Sequence, residues 1–166
     1  MLTYIGIGSN LGDPLQNCCQ AIARVAFGPG NRLLCCSPFY STEPVGEKNQ
    51  NWFINAVAAV ETNMSPRRYL DFLLSVEKGM GRERKEPWGP RVIDLDLLFY
   101  GEEIIDEEGM KIPHPRLQER RFVLVPLHDI APDWVHPRLH KTISQMLAEL
   151  KEEGKVVPLP DQAEAI

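Results

Sequence analysis

At 166 residues the chain has the length of one domain, and with 43% hydrophobic residues it can bury a sizeable core, which excludes disorder as its general state. Eighteen Lys and Arg against 23 Asp and Glu leave a net charge of −5, which excludes a surface built as a whole to grip nucleic acid or anionic lipid. The basic residues are unevenly placed: spans 82–91 and 111–121 hold 8 of the 18, with only 3 of the 23 acids. Such a patch on an acidic body suits either a small polyanionic ligand or two solvated loops.

In chain order, Leu2 to Ile7 predicts a short buried strand, followed by a glycine-bearing turn from Gly6 to Gly12. Asp13-Pro14 supplies an N-cap and a first-turn proline, with Gln16 where a capping partner belongs, so a helix starts there. Leu15, Cys18, Cys19, Ile22, Val25 and Ala26 keep helical spacing until Gly28-Pro29-Gly30 stops it. Leu33 to Tyr40 predicts a second strand that leads into a loop, Thr42 to Asn51. Trp52 to Glu61 alternates as a strand, with Ile54, Ala56 and Ala58 on one face and Phe53, Asn55 and Val57 on the other.

Ser65-Pro66 opens a second helix whose stripe is Tyr69, Phe72, Leu73, Val76 and Met80, with Glu77 beside it. A polar loop, Gly81 to Pro90, precedes the strand Val92 to Tyr100. A short hairpin follows around Ile104-Ile105 and Met110-Ile112. Beyond Pro113 the chain is punctuated by proline, with a helix predicted over Thr142 to Leu150 and a loosely held tail at 151–166. The order strand, helix, strand, strand, helix, strand predicts an α+β, ferredoxin-like sandwich with a C-terminal elaboration, forming one domain over 1–166.

The four cysteines fall as the neighbouring pairs Cys18-Cys19 and Cys35-Cys36, a spacing that suits neither zinc nor a disulfide framework. No apolar run approaches a membrane span, and the N-terminus lacks the pattern of a secretory leader. The setting expected is a reducing cytoplasm or stroma.

Asp94-Leu95-Asp96 lies in an otherwise apolar strand, where alternation puts both carboxylates on one face about 6.5–7 Å apart at Cα. The same alternation predicts Ile93, Leu95, Leu97 and Phe99 on the core side. Two acids at that spacing repel unless a cation lies between them, and oxygen-only ligands suit Mg²⁺ that shares phosphate oxygens. Arg82, Arg84, Lys85 and Arg91 precede the pair, and His114, Arg116, Arg120 and Arg121 follow it, as a metal-bound polyphosphate requires. Phe53, Trp88 and Phe122 offer rings for a flat heterocycle, and Asn55 offers a carboxamide for its edge. Neither a phosphate-binding P-loop nor a Gly-x-Gly-x-x-Gly fingerprint is present. From the residues alone, a ligand-binding regulatory module, an RNA-binding sheet and a Mg²⁺-dependent nucleotidyltransferase remain rival classes, the last sharing the acid pair.

Taken together, Gly8-Ser9-Asn10-Leu11-Gly12, Asn55-Ala56-Val57, Trp88-Gly89-Pro90-Arg91-Val92-Ile93-Asp94-Leu95-Asp96 and His114-Pro115-Arg116 resemble the 6-hydroxymethyl-7,8-dihydropterin pyrophosphokinase family over about Thr3 to Leu150. The resemblance implies a ferredoxin-like fold and transfer of diphosphate from ATP to the hydroxymethyl group of the pterin, with release of AMP, in folate biosynthesis. It implies that Asp94 and Asp96 hold two Mg²⁺ ions. Glu77, Arg82, Arg84, Arg91, His114 and Arg120 would bind ATP, Arg82 and Arg91 acting also in catalysis with the two acids. Thr42, Pro44, Val45, Phe53, Asn55, Trp88 and Phe122 would bind the pterin, while 81–90 and 42–51 would close over both substrates. The expected enzyme is a cytoplasmic monomer with no nucleic-acid or membrane partner. Two positions depart from the family pattern: Pro87 stands where a basic residue is common, and Phe53 where tyrosine occurs.

Overall fold

The computed structural model describes residues 1–46, 48–81, 90–151 and 154–160. Strand β1 (Leu2–Ser9) enters helix α1 (Pro14–Ala26), followed by β2 (Asn31–Cys36), β3 (Tyr40–Thr42), β4 (Phe53–Thr62), helix α2 (Pro66–Gly79) and β5 (Asp94–Tyr100). A small hairpin of β6 (Ile105–Glu107) and β7 (Met110–Ile112), helices α3 (Arg121–Ile130) and α4 (Ile143–Glu149), and strand β8 (Val156–Pro158) complete the chain. The main sheet is antiparallel in the order β5-β1-β4-β3-β8, with β2 also paired to β4. This is the predicted α+β sandwich.

Local chemistry starts both long helices where the sequence predicts. The Asp13 carboxylate accepts the Gln16 N–H at 3.2 Å ahead of Pro14, and the Ser65 hydroxyl accepts the Arg68 N–H at 3.4 Å ahead of Pro66. Cys18, Ala21 and Val25 of α1 and Tyr69 and Leu73 of α2 pack on Ile5, Ile7, Ala56, Ala58, Leu95 and Leu97, covering one face of the sheet. On the other face α3 and α4 bring Val123, Leu124, Leu127, Ile143 and Met146 onto Tyr4, Val57, Ala59, Leu98 and Phe99.

Several elements differ from the sequence reading. The strand expected over Leu33 to Tyr40 is two strands. Pro38 has no N–H to give a ladder, and Ser37 turns inward so that its hydroxyl accepts the Val57 N–H at 2.9 Å. Gly6 and Gly8 belong to β1, which runs to Ser9, rather than to a turn. Strand β5 begins at Asp94, not Val92, and its register against β1 shifts between Tyr4 and Ile5. That bulge sends Phe99 to the α3–α4 face beside Tyr4 and Trp134, while Tyr100 joins the α1–α2 face. Helix α3 was hidden by Pro126 in its interior, where proline normally argues against a helix. Within the tail expected to be loose, Val156–Pro158 pairs with β3.

Candidate active site

Because α3 and α4 cover only the Tyr4, Val57 and Phe99 end of their face, the other end stays open. The residues there follow from register. Gly8 faces Asn55 of β4 on one side and Asp94 of β5 on the other, and Gly6 likewise faces Val57 and Asp96. One rung of the sheet therefore carries Asp94, Gly8 and Asn55, with the carboxylate and the carboxamide two strand spacings, about 10 Å, apart. The glycines keep the floor between them bare. At Gly8 a Cβ would lie 2.4 Å from the Asn55 Oδ1, so only glycine allows that carboxamide its place.

A cavity of about 460 Å³ stands on this floor, walled by Asp94, Asp96, Arg91, Arg116 and Arg120 at one end and by Thr42, Val45, Phe53, Asn55 and Phe122 at the other. A second cavity of about 350 Å³ shares Arg91, Asp94, Asp96 and Arg120 and extends past His114 and Lys111 to Leu70, Leu74 and Ile112. The acid pair is the common wall. Arg91 Nη1 stands 3.2 Å from Asp94 Oδ2, and Arg120 Nη1 stands 3.9 Å from Asp96 Oδ2. The Arg120 guanidinium also lies 5.6 Å from the centre of the Phe122 ring, which joins the cationic end to the aromatic one.

At the aromatic end Asn55 Nδ2 donates to Thr42 Oγ1 at 2.6 Å, fixing which way the carboxamide presents its two atoms. At the acidic end His114 is held neutral. Burial, and then the Arg120 charge, push its pKa down to about 4, and its Nδ1 accepts the Arg116 N–H at 3.2 Å.

Of the residues singled out from sequence, Thr42, Val45, Phe53, Asn55, Arg91, Asp94, Asp96, Arg120 and Phe122 line the larger cavity, and His114 lines the second. Pro44 and Glu77 line neither. Pro44 is buried, and its carbonyl accepts from Lys48 Nζ at 3.1 Å. Glu77, 2% exposed, turns into the protein, where its carboxylate accepts the Leu95 N–H of the edge strand at 2.8 Å, between the two acids. Arg82, Arg84 and Trp88, with most of the segment 81–90, lie outside the described residues. Sequence reasoning missed Gly6 and Gly8 as the floor. The signal was their alternation with Ile5 and Ile7, which continues the strand pattern by two residues. It counted Arg116 among the cations without giving it a place in the site.

The family model described as 7,8-dihydro-6-hydroxymethylpterin-pyrophosphokinase matches residues 4–132. A protein of Methylorubrum extorquens named 2-amino-4-hydroxy-6-hydroxymethyldihydropteridine pyrophosphokinase is 42% identical over 151 residues, which cover 91% of this chain and 94% of that one. Its namesake from Pseudomonas aeruginosa is 40% identical, over 91% of this chain and 93% of its own. A crystal structure of Plasmodium falciparum HPPK-DHPS superposes with a TM-score of 0.73 over 89% of this chain and 44% of that one; at 16% identity it speaks for the fold alone. The chain belongs to the 7,8-dihydro-6-hydroxymethylpterin-pyrophosphokinase family and is a pyrophosphokinase of folate biosynthesis.

Proposed function

We propose that the chain, as a single domain over 1–166 and a cytoplasmic monomer, moves the diphosphate of ATP onto the hydroxymethyl oxygen of 6-hydroxymethyl-7,8-dihydropterin with Mg²⁺ and releases AMP. The observation that carries this reading is the shared rung of Asp94, Gly8 and Asn55, which sets an acidic subsite and a heterocycle-sized subsite on one uninterrupted floor. Transfer between two substrates requires that adjacency. No helix among the described residues is long and apolar enough to cross a membrane.

The donor set fits Mg²⁺. Asp94 and Asp96 offer carboxylate oxygens to one cavity, and among the described residues no third acid, histidine or cysteine completes an all-protein cage. Magnesium keeps waters and takes phosphate oxygens, so Asp94 and Asp96 would be sufficient protein ligands for Mg²⁺ bound together with the triphosphate. Bound there, the ions would supply neutralisation of the charge on the transferring diphosphate.

The chain's own residues do the rest. Arg91 and Arg120 donate charged hydrogen bonds to phosphate oxygens at the mouth shared by the two cavities. The second cavity, with Leu70, Leu74 and Ile112 beyond His114, takes the adenosine side. Phe53 and Phe122 hold the pterin faces and Asn55 its polar edge, which points the hydroxymethyl group toward the acid pair. The alcohol oxygen attacks the β-phosphorus, the new oxygen–phosphorus bond forms as the bond from that phosphorus to the α-bridging oxygen breaks, and AMP departs. We propose that the alcohol proton passes to a carboxylate of the Asp94–Asp96 pair, with Asp96 as the candidate.

Calorimetry with a non-hydrolysable ATP analogue tests the acidic subsite. Asp94→Asn and Asp96→Asn are expected to abolish the Mg²⁺ dependence of analogue binding and to lower turnover by orders of magnitude, with the melting temperature little changed. Binding that stays Mg²⁺-dependent in both variants would refute this placement.

A further inference from the structure

The motif Gly8-Ser9-Asn10-Leu11-Gly12 contains a residue that neither substrate subsite uses. Asn10 follows β1 directly and is 1% exposed, and its main-chain N–H and both atoms of its side-chain amide are bonded to other parts of the chain. Its Oδ1 accepts the Arg91 N–H at 2.7 Å, and its own N–H donates to the Arg91 carbonyl at 3.0 Å. Its Nδ2 donates to Gln50 Oε1 at 2.9 Å and to the Asn51 carbonyl at 3.0 Å. A single buried carboxamide thus grips two segments that are 40 residues apart in sequence.

Those two segments serve different substrates in the function proposed above, on which this inference rests. The acceptor half of Asn10 and its main chain fix the backbone of Arg91, whose guanidinium lies beside Asp94 on the phosphate side. The donor half fixes Gln50 and Asn51, the end of the loop that begins at Thr42 and reaches Phe53 on the heterocycle side. Burial makes the amide hard to replace. A group that cannot both donate and accept leaves one segment facing an unpaired polar atom away from water.

We infer that Asn10 is a positioning residue that sets the spacing between the two substrate subsites, with its two amide atoms assigned to one subsite each. Asn10→Asp retains an acceptor for Arg91 but turns a carboxylate oxygen toward the Asn51 carbonyl. Gln50 carries an amide donor as well as its oxygen; a backbone carbonyl can only accept. The variant therefore releases the heterocycle loop while leaving the phosphate side anchored.

Steady-state kinetics at pH 8, where an introduced aspartate is ionised, reads the split. Asn10→Asp is expected to raise KM for the pterin alcohol at least tenfold and KM for ATP less than threefold. Asn10→Ala, which removes both halves, is expected also to lower kcat at least tenfold. Gln50→Leu, which alters a partly exposed side chain and spares the buried core, should raise the pterin KM severalfold with the ATP KM unmoved. A role confined to folding would lower the melting temperature and leave both KM values alone, and that result overturns the inference. Equal rises in the two KM values with Asn10→Asp, or an ATP-selective loss with Gln50→Leu, overturn it as well. Failure of the wild-type enzyme to bind the pterin alcohol would instead refute the underlying function.

Discussion

Gly8 gives the most quantitative test of how the sheet builds the site. Its Cβ position lies 2.4 Å from Asn55 Oδ1, 3.5 Å from Asn55 Cγ and 3.8 Å from the Ile54 carbonyl, so Gly8→Ala forces the carboxamide to move. Moving it breaks the 2.6 Å bond that Asn55 gives Thr42 in a buried setting. Overpacking costs about 1–3 kcal/mol, and a lost buried hydrogen bond about 1 kcal/mol or more. Those costs fall on stability; because the displaced group is also the proposed edge contact for the pterin, its loss should weaken pterin binding by about 1–3 kcal/mol, roughly 5- to 150-fold.

Gly6→Ala is the control. It lies two residues earlier on the same face, and its Cβ position is 3.7 Å from Leu98 Cδ1 and 3.9 Å from Asp96 Cβ, which is ordinary contact. There the substitution should be neutral or stabilising by up to about 1 kcal/mol, through the restricted unfolded chain. Calorimetry with the pterin alcohol and a non-reacting ATP analogue, paired with thermal unfolding, measures both variants. Gly8→Ala with wild-type pterin affinity, or equal losses of melting temperature from the two variants, would refute the close approach at Gly8.

Other outcomes follow from the buried polar groups. His114 has a folded pKa of about 4 against an ordinary value near 6.5, so the fold favours its neutral form. Its stabilising contribution is complete above pH 6.5 and is lost as pH falls toward 4, by up to about 2 kcal/mol at pH 5. Urea unfolding at pH 7.5 and pH 5 should therefore show a smaller acid loss for His114→Gln than for wild type; parallel losses would contradict this. Glu77→Ala strips the Leu95 N–H of its carboxylate partner inside the protein and should cost about 1–3 kcal/mol, with much of the stability restored in Glu77→Gln, as thermal melts would report. Tyr40 donates its hydroxyl proton to Asp129, tying β3 to α3, and Tyr40→Phe should lower stability by about 1–2 kcal/mol while leaving ATP-analogue affinity unchanged by calorimetry.

What was legible from sequence was whatever depends on neighbours along the chain. Asp13-Pro14 and Ser65-Pro66 start helices by capping chemistry complete within four residues, and period two places Asp94 with Asp96 and Phe53 with Asn55. What stayed hidden depends on partners across space. The bulge opposite Tyr4 leaves no mark on alternation, so Phe99 was assigned to the wrong face. The break at Ser37–Phe39 had a visible cause in Pro38, but the apolar run around it reads as one strand. Gly8 resembles a turn glycine until the register sets it against Asn55. Glu77 resembles a wall residue until Leu95 of the edge strand needs an acceptor.

In the proposed function two subsites meet at Asp94 and Asp96 so that a diphosphate, and not a single phosphate or a nucleotide, changes hands. Phosphorus-31 NMR of the reaction products tests it directly, with enzyme, ATP, Mg²⁺ and 6-hydroxymethyl-7,8-dihydropterin in one tube. The expected spectrum shows AMP and a pterin diphosphate growing in equal amounts, with neither forming when the pterin is left out. Accumulation of ADP, or of free pyrophosphate with a nucleotide joined to the pterin, would contradict the claim.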